Sequence, residues 1–272
     1  MLRRPPELES TADVDPTEHT DLPEYERSLR MVERRRLATG FAKQIAITTA
    51  PFLDRPFADC RVADIGCGYG YTALELAGMC REVVGIEPNA ALAAEANALA
   101  EEGGARNFTF RVQGIGEFGH GADEGAFDVA VLDNVLEHLD DQPDALERIA
   151  SCLRPGGVAY ILVPNRWWPI EAHYSLPFLA WLPLPLANRY LRWSGRGNDY
   201  TDASYAPSYL RMRRLLARRP ELEAHFTVPG DVSLAEGGGS RLYAAGVSAL
   251  RRFPALWAIS KAFLVVAVKK PA

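Results

Sequence analysis

Apolar and polar residues change rhythm several times along the chain. Residues 1–22 are rich in Pro, Asp, Glu and Thr and have little apolar periodicity, which predicts a mobile tail. From Pro23 to about Ala50 the spacing becomes helical, with Leu29, Val32, Leu37, Phe41 and Ile45 recurring. Arg34, Arg35 and Arg36 lie between them, as a solvated face or a contact for phosphate or acidic lipid. Strand and helix patterns then alternate. Arg61–Gly66, Glu82–Glu87, Phe108–Val112, Phe127–Asp133 and Val158–Val163 read as short apolar strands. Tyr71–Met79, Asn89–Glu102 and Gln142–Leu153 read as helices, the last stopped by Pro155, Gly156 and Gly157. Near-continuous apolar strands separated by helices imply a parallel sheet covered on both faces.

After Pro164 the rhythm breaks. Residues 165–205 carry Trp167, Trp168, Tyr174, Phe178, Trp181, Tyr190, Trp193, Tyr200 and Tyr205, with several prolines among them. Alternation then resumes with a helix near Pro207–Arg219, a strand near Leu222–Val228, a helical stretch over Leu242–Ser260 and a last strand at Phe263–Lys269. The aromatic block therefore reads as an insertion, about residues 164–205, within one domain spanning 23–272. The expected fold is α/β, Rossmann-like and doubly wound, with a mostly parallel seven-stranded sheet and an aromatic, Pro-rich lid.

Composition narrows the function classes. The chain has 272 residues, of which 48% are hydrophobic and 24% charged, as in ordinary globular domains. Lys+Arg is 30 and Asp+Glu 35, a net charge of -5, which argues against a general nucleic-acid binder. Cys60, Cys67, Cys80 and Cys152 form no C-x-x-C pair, so a cytoplasmic protein without a disulfide framework or zinc site is expected. The N-terminus has no apolar signal-peptide core. Ser175–Trp193 is apolar, but Pro177, Pro183, Pro185, Asn188 and Arg189 rule out a spanning helix and leave a peripheral membrane contact open.

The strongest local signal is VADIGCGYGYTALELA, Val62–Ala77. A strand ends, Gly66, Gly68 and Gly70 make a turn, and a helix begins, so free N–H groups face an anionic ligand group. Glu87 ends the next strand, where a carboxylate can accept both ribose hydroxyls of an adenosine. NAD, FAD and S-adenosylmethionine all fit such a turn, as does a packing turn without ligand. The dinucleotide fingerprint G-x-G-x-x-G places its third glycine where Tyr71 stands here. The early third glycine suits a ligand whose anion is a methionyl carboxylate.

With these residues the chain resembles the class I S-adenosylmethionine-dependent methyltransferases over roughly residues 40–165. VADIGCGYG matches the family's first motif and Glu87 in GIEPN its ribose clamp. FDVAVLDNVLEHLDD matches the fourth-strand motif, and LRPGGVAYILVPNR the loop and strand that follow. VQGIGEF, NVLEHL and PNR are most similar to the ubiquinone-biosynthesis O-methyltransferase branch. The resemblance implies S-adenosyl-L-methionine as cofactor. Asp64, Gly66, Gly68 and Gly70 would line its methionine end, Glu87 hold the ribose, and Ile115 and Gly116 flank the adenine. Many relatives carry an Asp where Ile115 stands. Asp133 and Asn134 would face the aminoacyl group or sulfonium.

A hydroxyl acceptor must also lose a proton, a task suited to histidine. His138 in LEHL borders the acceptor pocket in the family, and Glu171 and His173 form an E-x-H pair in the insertion. These three are the candidate catalytic residues, each also compatible with a purely structural role, and His138 is preferred to His173 as the base because its loop is anchored to the sheet. A divalent ion on Glu171, His173 and a third carboxylate is an open alternative, and no metal is assigned. The reading is O-methylation of a small-molecule, glycosyl or lipid-linked acceptor. N- or C-methylation, quinone-ring methylation and a non-catalytic cofactor-binding module remain as alternatives.

Overall fold

The computed structural model describes residues 24–234 and 240–271, with side chains from residue 35 onward. The expected tail and His19 lie outside the described residues. Strands β1 (Arg61–Ile65), β2 (Glu82–Glu87), β3 (Phe108–Val112), β4 (Phe127–Asp133), β5 (Leu153–Pro164), β6 (Leu222–Thr227) and β7 (Ala262–Lys269) form one sheet. Its order is β3-β2-β1-β4-β5-β7-β6. The pairs among β1 to β5 are parallel, and β7 runs antiparallel between β5 and β6. The mostly parallel seven-stranded reading therefore holds.

Helices cover both faces. On one face, α1 (Glu24–Thr49) and α2 (Tyr71–Ala77) bury Ala42, Ile45, Ala73 and Leu76 against Val62, Val129 and Val131. On the other, α4 (Gln142–Cys152) and α6 (Tyr209–Ala217) bury Leu146, Ile149, Met212 and Leu215 against Ala63, Ala130 and Leu132. Successive residues of β1 and β4 thus feed opposite cores, as strand alternation requires. Helix α3 (Ala90–Glu102) starts at Asn89, whose side chain accepts from the Ala91 N–H, and packs against β2 and β3. Between β1 and β4 the chain's course reverses direction across the sheet. This crevice at the carboxyl ends of the strands is where open α/β sheets bind ligands.

Two expectations are corrected. Pro155, Gly156 and Gly157 do not separate a helix from a strand, because the helix ends at Cys152 and β5 starts at Leu153. They form an irregularity inside β5, where pairing jumps from Phe127↔Leu153 to Val129↔Val158 and Gly156 takes φ 76. The helical stretch over Leu242–Ser260 is also broken. Helix α7 (Arg241–Arg252) stops before Pro254, which starts a separate 3-10 turn, Pro254–Ile259.

The segment after β5 carries helix α5 (Leu184–Ser194) and a core of its own, with Tyr174, Leu176, Leu179, Ala187, Leu191 and Tyr200 packed together. It leaves Trp167, Phe178, Trp181, Leu186 and Trp193 exposed. No helix among the described residues is long and apolar enough to cross a membrane.

Candidate active site

The ends of β1, β2 and β4 open into a cavity of about 400 Å³. Its wall includes Asp64, Gly66, Gly68, Glu87, Ile115, Asp133, Asn134, His138 and His173, nine of the residues singled out from sequence. The glycine turn is built as its composition predicts, with Gly66, Gly68 and Gly70 at φ 67, 53 and 72. A Cβ at Gly68 would meet nothing within 4 Å, so the space beside that backbone is open. A Cβ at Gly66 would lie 2.6 Å from Val135, so Gly66 serves close packing as well as the cavity. Gly70 lies outside the lining and precedes α2, where a Cβ would press on Ala96 at 3.2 Å. Gly116 also stays outside the lining, in the 3-10 turn Ile115–Glu117.

Glu87 is 6% exposed and its carboxylate accepts the N–H groups of Gly68 and Asn89, each at 3.1 Å. It therefore ties the glycine turn to the end of β2 as well as facing the cavity. Asn134 holds φ 55, a backbone conformation asparagine tolerates better than most residues, and its side chain donates to Asp133 Oδ1 at 2.8 Å. Burial, reinforced by the charges of Asp133 and Glu87, pushes the Asp64 carboxyl up to about 8. Asp64, Glu87, Asp133 and Asp202 line the cavity, and among the described residues no Lys or Arg does. An adenosine ligand carrying an ammonium and a sulfonium fits this acidic wall, and its hydroxyls suit Glu87.

At the other end two histidines meet. His138 and His173 have ring centroids 5.0 Å apart, edge to face. His173 Nδ1 is 2.7 Å from Glu171 Oε1, and the other Glu171 oxygen accepts the N–H groups of His173 and Tyr174. Burial alone would raise the Glu171 carboxyl, but these bonds and the imidazole outweigh it and hold it low. His138 Nδ1 is 3.0 Å from Asp202 Oδ2. Burial opposes its charged form, yet Asp202 and Glu137 prevail and raise its pKa. Glu171 is absent from the cavity wall and stands behind His173, so its place is that of an orienting group.

Sequence reasoning passed over Glu137. It is fully buried in the 3-10 turn Leu136–His138, and neither carboxylate oxygen has a hydrogen-bond partner among the described residues. Burial pushes its carboxyl up to about 7, and its Oε1 lies 3.9 Å from His173 Nε2. One ligand atom from each of Glu137, His138 and His173 falls within 4.8 Å of the others. That trio, which shares only His173 with the alternative left open from sequence, has metal-ligand spacing. The available signal was a carboxylate directly beside His138 in LEHL. Phe41, Tyr71, Gln113 and Asp202 were also missed as cavity walls. Arg35 sits 6.0 Å above the Tyr71 ring, so one residue of the basic run reaches the cavity's edge.

A family described as methyltransferase domain matches residues 33–213. The ubiquinone biosynthesis O-methyltransferase of Bradyrhizobium sp. (strain ORS 278) is 32% identical over 150 residues, covering 55% of this chain and 54% of that protein. The enzyme of the same name from Azorhizobium caulinodans is 32% identical over 157 residues, covering 57% of each. The chain thus spans about half the length of the curated relatives it matches. Among solved structures, the plantazolicin methyltransferase BpumL in complex with SAH superposes with a TM-score of 0.58 at 16% identity, over 91% of both chains.

Proposed function

The chain belongs to the methyltransferase-domain family, within the class I S-adenosylmethionine-dependent fold, and from that premise we propose that it O-methylates a hydroxyl on a small-molecule, glycosyl or lipid-linked acceptor. The observation that carries this reading is the pair of carboxylate-backed imidazoles, His138 and His173, in the same cavity as Asp64 and Glu87. A neutral amine attacks the methyl without first losing a proton, whereas a hydroxyl is a weak nucleophile until a base takes its proton.

S-adenosylmethionine, when bound, supplies a methyl group on a sulfonium that is already a strong electrophile. Everything else falls to the chain. Glu87 holds the ribose hydroxyls, and Asp64 and Asp133 offset the cationic groups. Ile115 and Gln113 flank the adenine. The insertion brings His173 and Asp202 over the cavity, where they help shield the acceptor from water. His173 is the proton acceptor, oriented by Glu171 through Nδ1, which leaves Nε2 toward Glu137 and the cavity. His138, fixed by Asp202, lies beside it. The exposed aromatic surface of the same insertion favours an acceptor presented at a lipid surface.

Variants test the base directly. His173→Ala should lower kcat by about 10²–10⁴ with cofactor affinity nearly unchanged. Glu171→Gln should lower kcat less and shift the pH profile. Sensitivity to a chelator, reversed by a divalent ion, would instead make Glu137, His138 and His173 a cation site. Full turnover in both His138→Ala and His173→Ala without metal dependence contradicts O-methylation through this site.

A further inference from the structure

A second cavity, of about 430 Å³, shares no lining residue with the first. Its walls come from the end of α1, the end of β6 and the end of α7 with the turn that follows. The pairing register locates it. Thr227 pairs with Leu264, Leu264 with Leu162, and Leu162 with Asp133. The two cavities therefore open at the same edge of the sheet, three strand spacings or about 14 Å apart.

The chemistry of the two is opposite. The first has four carboxylates and, among the described residues, no Lys or Arg in its wall. Among the described residues, the second has one charged side chain in its wall, Arg251, and no carboxylate. Arg251 makes no hydrogen bond or ion pair with any described residue, nor do the hydroxyls of Tyr209 and Thr227. The remaining lining is mainly apolar and includes four aromatic rings, Phe52, Tyr209, Phe226 and Trp257. Tyr209 and Phe226 meet edge to face with centroids 5.1 Å apart, Phe226 and Trp257 stand at 5.8 Å, and Phe52 completes the wall. Aromatic rings in this arrangement favour another ring set against them. A lone guanidinium matches a carboxylate through two parallel N–H bonds, whereas a phosphate dianion calls for more than one cation. The volume lies in the lower part of the range for small-molecule sites.

We propose that this cavity is a binding site for an aryl carboxylate of one or two rings, with the carboxylate on Arg251 and the ring between Phe226, Trp257 and Tyr209. The inference does not depend on the methyl-transfer reading, because it uses none of that site's residues.

Calorimetry with 2-naphthoate on the full chain tests it. The site predicts one equivalent bound with a Kd on the order of 0.1–1 mM. 2-Naphthol, equal in shape but neutral, should bind at least about tenfold more weakly. Arg251→Ala should weaken 2-naphthoate by at least about tenfold, and Arg251→Lys by less, since one ammonium cannot form the paired bonds. Arg251 is exposed in the last turn of α7, so both variants should keep the circular dichroism and Tm of the parent. Saturating S-adenosylhomocysteine should leave 2-naphthoate binding unchanged. Equal affinity for naphthoate and naphthol, no effect of Arg251→Ala, or displacement by S-adenosylhomocysteine would each overturn the assignment.

Discussion

At the scale of single residues, the cavity gathers Asp64, Glu87, Asp133 and Asp202 in a wall that, among the described residues, holds no Lys or Arg. Asp64 shows the consequence. Its carboxyl, pushed up to about 8, is largely protonated at pH 7 in the free protein. The folded state therefore holds a proton that the unfolded chain, at the ordinary value of 3.8, has lost, and stability falls as pH rises between the two. A cationic ligand beside Asp64 reverses the preference and drives the proton off. S-adenosylhomocysteine and S-adenosylmethionine should bind more tightly as pH rises from 6 to 8, with up to about one proton released per ligand. Calorimetry in buffers of different ionisation enthalpy reads that number, and zero release at pH 7 contradicts the role given to Asp64. Asp64, Glu87 and the glycines were legible because strand ends and turns leave local signatures. Glu137 was not: its place beside His138 was visible, but its burial depends on how the 3-10 turn packs, which the order of residues does not reveal.

At the scale of elements, six of the seven strands were read to within a residue at each end, those at the centre of the sheet because strands buried on both faces are apolar throughout; β5 starts five residues before the expected Val158. The errors fell where one residue has two uses. Pro155 and Gly156 end a helix in most contexts, and here they bend a strand that pairs on past them. Tertiary pairing with β4 decides between the two. The insertion was legible as a change in composition but not as a unit with its own core. That core leaves Trp167, Phe178 and Trp181 clustered on the outside, Trp181 edge-on to Trp167 at 5.8 Å and tilted on Phe178 at 4.6 Å between centroids, beside exposed Leu184 and Leu186 and the arginines of α5. Such a surface suits the headgroup region of an anionic bilayer. Sedimentation with phosphatidylglycerol vesicles should carry the protein down, and Trp181→Ala with Leu184→Ala should release it. Equal sedimentation of parent and double variant contradicts docking through the insertion.

At the scale of the molecule, one sheet keeps an acidic cavity and its histidines at the carboxyl ends of its strands and an ion cluster at the other end. Asp128, nearly buried near the start of β4, accepts from Arg154 at 2.6 Å and from the Arg61 N–H at 2.7 Å, and pairs with Arg55 at 3.1 Å. Arg154 also reaches Asp54, so the cluster ties β1, β4 and β5 to the loop before them. Asp128→Ala removes a buried acceptor while Arg154 and Arg55 keep Asp54, and should cost about 1–3 kcal/mol in urea denaturation. It should leave cofactor affinity per folded molecule unchanged, since the two ends of the sheet share no residue. The account as a whole stands on transfer of a methyl group to oxygen. The direct measurement is to incubate the protein with S-adenosylmethionine carrying a ¹³C methyl and a cell extract, and to identify the labelled product by NMR. The predicted result is one labelled methyl ether or ester that is lost in Glu87→Ala and sharply reduced in His173→Ala. Label on nitrogen or carbon, or no transfer by a protein shown to bind the cofactor, would contradict it.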